Sequence, residues 1–164
     1  MGTNYSPRIV TDNLVMCFDA ADPKSYPRTG SVWKDRSSKA LNATMLASGS
    51  FDSANGGSLN FDSSATSYAF TSYDSDFHMD TNCSIEIIFL ADDNLSGATD
   101  VRQSLWSNKE NDSLGVEIGV FDGCGISGGT SAGRRFLMHR QGNCFSAVSN
   151  ANAFEVGVPI QFVY

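Results

Sequence analysis

Short runs in which apolar and polar residues alternate one by one organise this chain, and the 3.6-residue spacing of an amphipathic helix does not occur. Residues 84–91 are the plainest case: Ile85, Ile87, Phe89 and Ala91 fall on one face, and Ser84, Glu86, Ile88 and Leu90 on the other. A wholly apolar face predicts a central strand with one side committed to the core. Residues 115–121 alternate in the same way, with Val116, Ile118 and Val120 expected inward, and residues 103–107 bring Leu105 and Trp106. Residues 135–140 set Phe136 and Met138 against Leu137 and His139, and residues 145–148 can return as their partner across Gln141-Gly142-Asn143. Residues 159–164 alternate once more, and the pattern stops inside that strand. Either further strands follow it in a longer chain, or the last strand pairs with another element or another chain, because an open apolar edge invites association.

The N-terminal half is less regular. Residues 14–18 are apolar on both faces, Leu14, Met16 and Phe18 against Val15 and Cys17, which predicts a strand covered on both sides. Pro23 and Pro27 would interrupt a helix in the segment that follows, and Trp33 forms a second apolar anchor two residues before Asp35. In residues 40–46, Leu41, Ala43 and Met45 alternate with Asn42 and Thr44, predicting a short edge strand. Phe51-Asp52 leads through the turn Asn55-Gly56-Gly57 into residues 58–62, where Leu59 and Phe61 share a face, and residues 68–70 form the next short strand. About nine short strands, frequent turns and no helix predict an all-β, two-sheet antiparallel sandwich. No internal repeat or low-complexity tract competes with that reading.

Several separated pieces of the N-terminal half resemble one family in order. They are Ile9-Val10-Thr11-Asp12, Leu14-Val15 followed by Asp19-Ala20, Ser25-Tyr26-Pro27, and the Trp33-x-Asp35-x-Ser37 unit. This order resembles the opening of concanavalin A-like, LamG-type jelly-roll domains in structural proteins of tailed bacteriophages. A second unit, Gly56-Gly57-Ser58-Leu59-x-Phe61-Asp62, is also similar to those domains. There the family commonly continues with Gly and an Asp-Tyr pair, whereas this chain has Ser63 and then Ser67-Tyr68, so a retained metal or sugar loop is not implied. The resemblance implies a jelly-roll sandwich over residues 1–164 as one domain, with residues 1–8 as an N-terminal arm and the fold open to further strands at the C-terminus. It also implies that Asp19, Tyr26, Trp33, Asp35, Phe61 and Asp62 are structural-motif residues that build the sandwich and its turns.

Composition narrows the function classes. The 164 residues support a single domain with a real core, burying about 70% of the surface of the unfolded chain. A hydrophobic fraction of 41% argues against disorder. The net charge of -7 repels phosphate backbones and anionic membranes, and Arg134-Arg135 is the only adjacent basic pair, so nucleic acid is not an expected partner. No run approaches the length of a membrane span, and the N-terminus has neither the charged nor the apolar region of a signal peptide. Cys17, Cys83, Cys124 and Cys144 contain no CxxC pair and argue against a zinc or thioredoxin-like site. Cys124 and Cys144 flank a predicted hairpin and could meet, but a chain made in a cytosol is expected to keep them as thiols.

The candidate chemistry is thin. Glycosidases of concanavalin A-like fold need paired carboxylates on one strand. Counting from Glu86, those positions hold Ile88 and Ala91, and Glu117 is isolated in the same way. The tract 128–133, Gly-Gly-Thr-Ser-Ala-Gly, lacks the strand-to-helix setting of a nucleophile elbow and the Lys of a phosphate loop. His78 and His139 lack partners at ligand spacing, with only Asp76 and Asp80 near the first. Asp74, Asp76, Asp80, Asp92, Asp93 and Asp100 offer oxygen ligands for calcium, but acidic turns in an acidic protein account for them more simply, so no cofactor is expected. The Gly-rich residues 122–133 read as a surface loop. With no catalytic set in view, the resemblance implies a noncatalytic virion protein, assembled in the host cytoplasm, that works through contacts with other virion proteins in an oligomeric setting. The alternative is a glycan-binding adhesion module acting on cell-surface sugars, with Tyr26, Trp33, Tyr68 or Tyr73 as stacking residues.

Overall fold

The computed structural model describes residues 11–46, 50–61, 67–77, 83–91, 101–108, 115–122, 135–141, 145–148, 155 and 157–163. These residues are all-β: eleven strands in small antiparallel sheets, with single 3-10 turns at Ala54–Gly56 and Ser75–Phe77 and no α-helix among the described residues. The chain divides into two compact units, Met1–Asp76 and Phe77–Tyr164.

In the first unit, β1 (Val32–Trp33), β2 (Ala43–Leu46) and β5 (Tyr68–Phe70) form a sheet in the order β1-β2-β5, and β3 (Ser50–Asp52) pairs with β4 (Ser58–Asn60) as a hairpin. The alternation in β2 sends Ala43 and Met45 into the interior and leaves Thr44 and Leu46 outside. The predicted Asn-Gly-Gly turn closes the β3–β4 hairpin. Gly57 there has φ 122°, and a Cβ on it would lie 3.0 Å from the Phe51 ring and 3.1 Å from Ala21 Cα. A side chain there would force its neighbours to give by a few tenths of an ångström and would hold a φ that L residues rarely adopt.

Two expectations fail in this unit. Residues 14–18 join no ladder, because their backbone groups are taken elsewhere. The Cys17 N–H donates to the Asp35 carboxylate, the Cys17 carbonyl accepts from the Arg36 N–H, and the Val15 carbonyl accepts from the Ser37 hydroxyl. The strand expected at residues 40–46 begins only at Ala43, and it is the middle strand rather than an edge, since β1 and β5 both pair with it. Ala40 precedes it with φ 52°, a left-handed conformation that no strand residue adopts.

The second unit holds β6 (Glu86–Leu90), β7 (Val101–Ser107), β8 (Gly115–Asp122), β9 (Arg135–Gln141), β10 (Phe145–Val148) and β11 (Pro159–Val163). Strands β7 to β10 form an antiparallel meander in the order β10-β9-β8-β7, and β9–β10 is the hairpin expected from residues 135–148. The β7–β8 register shifts between Ser104 and Trp106, which makes Leu105 an extra residue on β7. The final strand β11 pairs with β6, so it does find another element. Strand β6 was expected to be central. Among the described residues β11 is its only partner, and Ile88 on its outer face is 70% exposed. Its other face behaves as predicted: Ile87 packs with Ile85, Trp106 and Phe162 around Ile118, which is fully buried.

Candidate functional site

The carboxylate of the Trp33-x-Asp35-x-Ser37 unit gathers donors from Cys17, Ser37 and Leu41. Asp35 lies two residues beyond the end of β1 and is 6% exposed. Its Oδ1 accepts from the Cys17 N–H at 2.8 Å and the Ser37 N–H at 2.9 Å, and its Oδ2 accepts from the Ser37 hydroxyl at 2.6 Å and the Leu41 N–H at 3.0 Å. The Asp35 N–H in turn donates to Asn42 Oδ1 at 3.1 Å. Burial alone would push this carboxyl's pKa up, but the bonds from Ser37, Cys17 and Leu41 outweigh it and hold the pKa below the usual aspartate value. An anion whose two oxygens each hold two donors has little capacity left for a substrate or a metal.

Ser25 ties the preceding turn to the same place. Its hydroxyl donates to the Lys34 carbonyl at 2.7 Å and accepts from the Asp19 N–H at 3.1 Å, and its carbonyl accepts from the Lys34 N–H. Asp19 closes a local turn through Oδ1 to the Ala21 N–H. Tyr26 is only 2% exposed, and its hydroxyl donates to the Gly30 carbonyl, so its ring is not offered to a ligand. Trp33 is half-buried against Phe18, with ring centroids 5.1 Å apart. Its indole N–H has no hydrogen-bond partner among the described residues. Phe61 is half-buried, whereas Asp62 lies outside the described residues.

The Cys17 thiol lies beside this carboxylate. Burial raises its pKa first, and the negative charges of Asp35 and Asp19 raise it further, so it stays a neutral thiol and a poor nucleophile. Cys83 is exposed and free; Cys124 and Cys144 lie outside the described residues.

Of the acidic loop residues, Asp74 and Asp76 are joined by a lysine. Lys39 Nζ lies 2.9 Å from Asp74 Oδ1 and 2.6 Å from Asp76 Oδ2. The hydrogen bonds that Lys39 donates to the two carboxylates, that to Asp76 first, raise its pKa, and the bond from Lys39 lowers that of Asp74. The ammonium therefore occupies the position a cation would take between them. Asp80, Asp92, Asp93, Asp100 and His78, with residues 1–8 and 123–134, lie outside the described residues, and the side chains of Glu117 and His139 are likewise not described. Among the described residues no three or more metal-ligating side chains gather. Glu86 is exposed on β6, and its carboxylate accepts from the Gln161 amide across the β6–β11 pair.

Two of the sugar-stacking candidates, Tyr68 and Tyr73, are exposed. The structure adds Phe70, whose ring lies 6.2 Å from that of Tyr68 on the same face of β5. The i, i+2 spacing of the two aromatics in one strand was the available signal. Ser25, Ser37 and Lys39 were also missed as organising residues; for Ser37 the signal lay in the Trp-x-Asp-x-Ser spacing.

These features define a class: an all-β protein of antiparallel sheets, with an internally satisfied carboxylate knot and an exposed aromatic pair. Comparisons with protein-family models, with curated proteins and with solved structures each give no match. Among the described residues no helix is long and apolar enough to cross a membrane.

Proposed function

We propose that the chain is a concanavalin A-like, LamG-type jelly-roll module that serves, without catalysis, as a structural or decoration protein of a tailed-phage virion. The observation that carries this reading is the knot around Asp35. Of the residues on which the resemblance rests, Ser25 bonds the Asp19 N–H and the carbonyl of Lys34, the neighbour of Asp35, Ser37 bonds the Asp35 carboxylate, and Trp33 packs on Phe18. A motif kept for folding is what a structural module requires, and it leaves the outer surface to make the contacts. A two-sheet sandwich is supported in the second unit, where side chains of β6 and β11 meet Ile118 and Trp106 of the meander. Partners are other virion proteins on the capsid, neck or tail, held through sheet faces and loops. Mass spectrometry of purified, salt-washed particles tests the proposal. The expected result is the chain present at a fixed copy number per particle; its absence from infectious particles would refute the reading.

A further inference from the structure

The chain passes from the first unit to the second between Asp76 and Phe77, inside the 3-10 turn Ser75–Phe77. A single turn of this type has poorer hydrogen-bond geometry than an α-helix, so its order rests on what grips it from outside. Two ties join it and the residues before it to one place, the turn at residues 39–41. The Thr71 hydroxyl donates to the Leu41 carbonyl at 2.9 Å, and the Lys39 ammonium donates to Asp74 Oδ1 at 2.9 Å and to Asp76 Oδ2 at 2.6 Å. Asp74 Oδ1 also accepts from the Asp76 N–H at 2.9 Å, so one ammonium fixes both side chains and the backbone between them. Within the second unit, the Phe77 carbonyl accepts from the Asn108 amide at 2.6 Å.

Lys39 owes its place to the Asp35 knot. The Lys39 N–H donates to the Ser37 hydroxyl at 3.2 Å, and the Leu41 N–H, two residues on, donates to Asp35 Oδ2 at 3.0 Å. Between them Ala40, at φ 52°, turns the chain. The backbone on both sides of that turn is therefore anchored to one buried carboxylate, which sets where the Lys39 side chain starts. The knot has no capacity for a ligand, but it holds one cation where two acidic residues of the crossing can reach it.

The two ties differ in kind. The Thr71 bond is neutral and partly buried, so salt leaves it in place. The ion pairs are open to water, with the Lys39 and Asp76 side chains 32% and 49% exposed. At about 1 M salt the screening length falls to about 3 Å, and pairs of this exposure lose most of their attraction. Among the described residues no other cation pairs with Asp74 or Asp76. Taking the charge from Lys39 leaves two carboxylates, one residue apart, repelling each other in a chain of net charge -7. The order of the crossing thus depends on one charge, while the knot beneath it, buried and made largely of backbone bonds, does not.

We propose that Lys39 is an electrostatic latch on the crossing between the two units: closed, it orders residues 74–77, and with its charge screened or removed that segment opens while the Asp35 knot stays intact. The latch needs no virion partner, so it stands or falls apart from the virion reading. The test is limited chymotrypsin digestion of the whole chain, with cleavage after Tyr73 and Phe77 followed by mass spectrometry, since slow cleavage reports the population of the open segment. At about 0.01 M NaCl, Lys39→Gln should be cut there about three- to tenfold faster than the parent, and Lys39→Arg at the parent's rate. At about 1 M NaCl the ratio of Lys39→Gln to parent should fall toward one, a comparison in which any effect of salt on the protease cancels. The Cys17 amide shift should be the same in all three proteins, showing the knot unbroken. Should Lys39→Gln fail to fold, the parent alone still decides, because its cleavage at Tyr73 and Phe77 relative to its other sites should rise with salt. Equal cleavage of Lys39→Gln and parent at low salt, cleavage of Lys39→Arg as fast as that of Lys39→Gln, or a ratio unmoved by salt would each overturn the latch.

Discussion

Truncating Asp35 to Ala removes the acceptor for three backbone N–H groups, Cys17, Ser37 and Leu41, and one hydroxyl. A hydrogen bond to a charged group contributes about 1.5–3 kcal/mol net, and a buried donor left without a partner costs about 1–3 kcal/mol. The losses do not simply add. The Ser37 hydroxyl turns its one proton wholly to the Val15 carbonyl at 3.0 Å, Cys17 and Leu41 are only half-buried and can recruit water, and removing the carboxylate also removes its desolvation cost. The buried Ser37 N–H is the group with least recourse. Together these give a loss of about 3–4 kcal/mol, a large part of the about 5–15 kcal/mol that holds a domain folded.

Asp35→Asn separates charge from geometry. With its oxygen kept toward Cys17 and Ser37, the amide NH2 faces the Ser37 hydroxyl, which accepts from it and turns its own proton to Val15. Only the Leu41 N–H is then opposed by a donor, so the Asn variant should lose about half as much as the Ala variant. The assay is urea unfolding followed by Trp33 emission, in a Trp106→Phe background that leaves one of the two tryptophans. The pH dependence has a definite sign. The folded pKa of Asp35 is lowered, so the unfolded chain takes up the proton first as pH falls. Its stabilisation is complete above the ordinary aspartate range near about pH 4 and is lost as pH drops below that range toward the folded value. The gap between parent and Asp35→Ala should therefore close on acidification. A gap under about 0.5 kcal/mol at neutral pH, or equal losses for Ala and Asn, would refute the account of the knot.

Other perturbations follow from the packing and the turns. Ile118→Ala empties the centre of the second unit's core and should cost about 3–4 kcal/mol, read as a lower urea midpoint by Trp106 emission. Ala40→Gly relieves a left-handed φ of 52° and should raise stability by about 0.5–1 kcal/mol after the greater freedom of Gly in the unfolded chain is set against it; a thermal midpoint no higher than the parent's would contradict the conformation. Lys39→Met removes the cation that holds the Asp74 pKa down, so the Asp74 carboxyl, followed by 13C NMR, should titrate at higher pH than in the parent. An unchanged titration would mean that the ion pair does not form in solution.

How much of this was legible in the sequence depends on where each residue's partner lies. Alternation placed strands where β8 to β11 lie, because a ladder strand shows its period in consecutive residues. It misread residues 14–18 because apolar side chains on both faces do not reveal where the backbone bonds go, and here they go to Asp35, Arg36 and Ser37, some twenty residues on. A strand as short as β1 cannot show a period. The middle position of β2 follows from β5, a strand separated from it by a whole hairpin. Half of the Asp35 knot is local, since Ser37 reaches its carboxylate within the Trp-x-Asp-x-Ser unit, and that spacing could be read directly. The other half, from Cys17 and Leu41, exists only once the chain has closed. The local half can form transiently in the unfolded chain, where water competes for it, whereas the Cys17 bond forms only on folding. The Cys17 amide should therefore exchange with solvent at the slow rate set by unfolding of the first unit, and fast exchange there at neutral pH would detach the residues 14–18 segment from the knot.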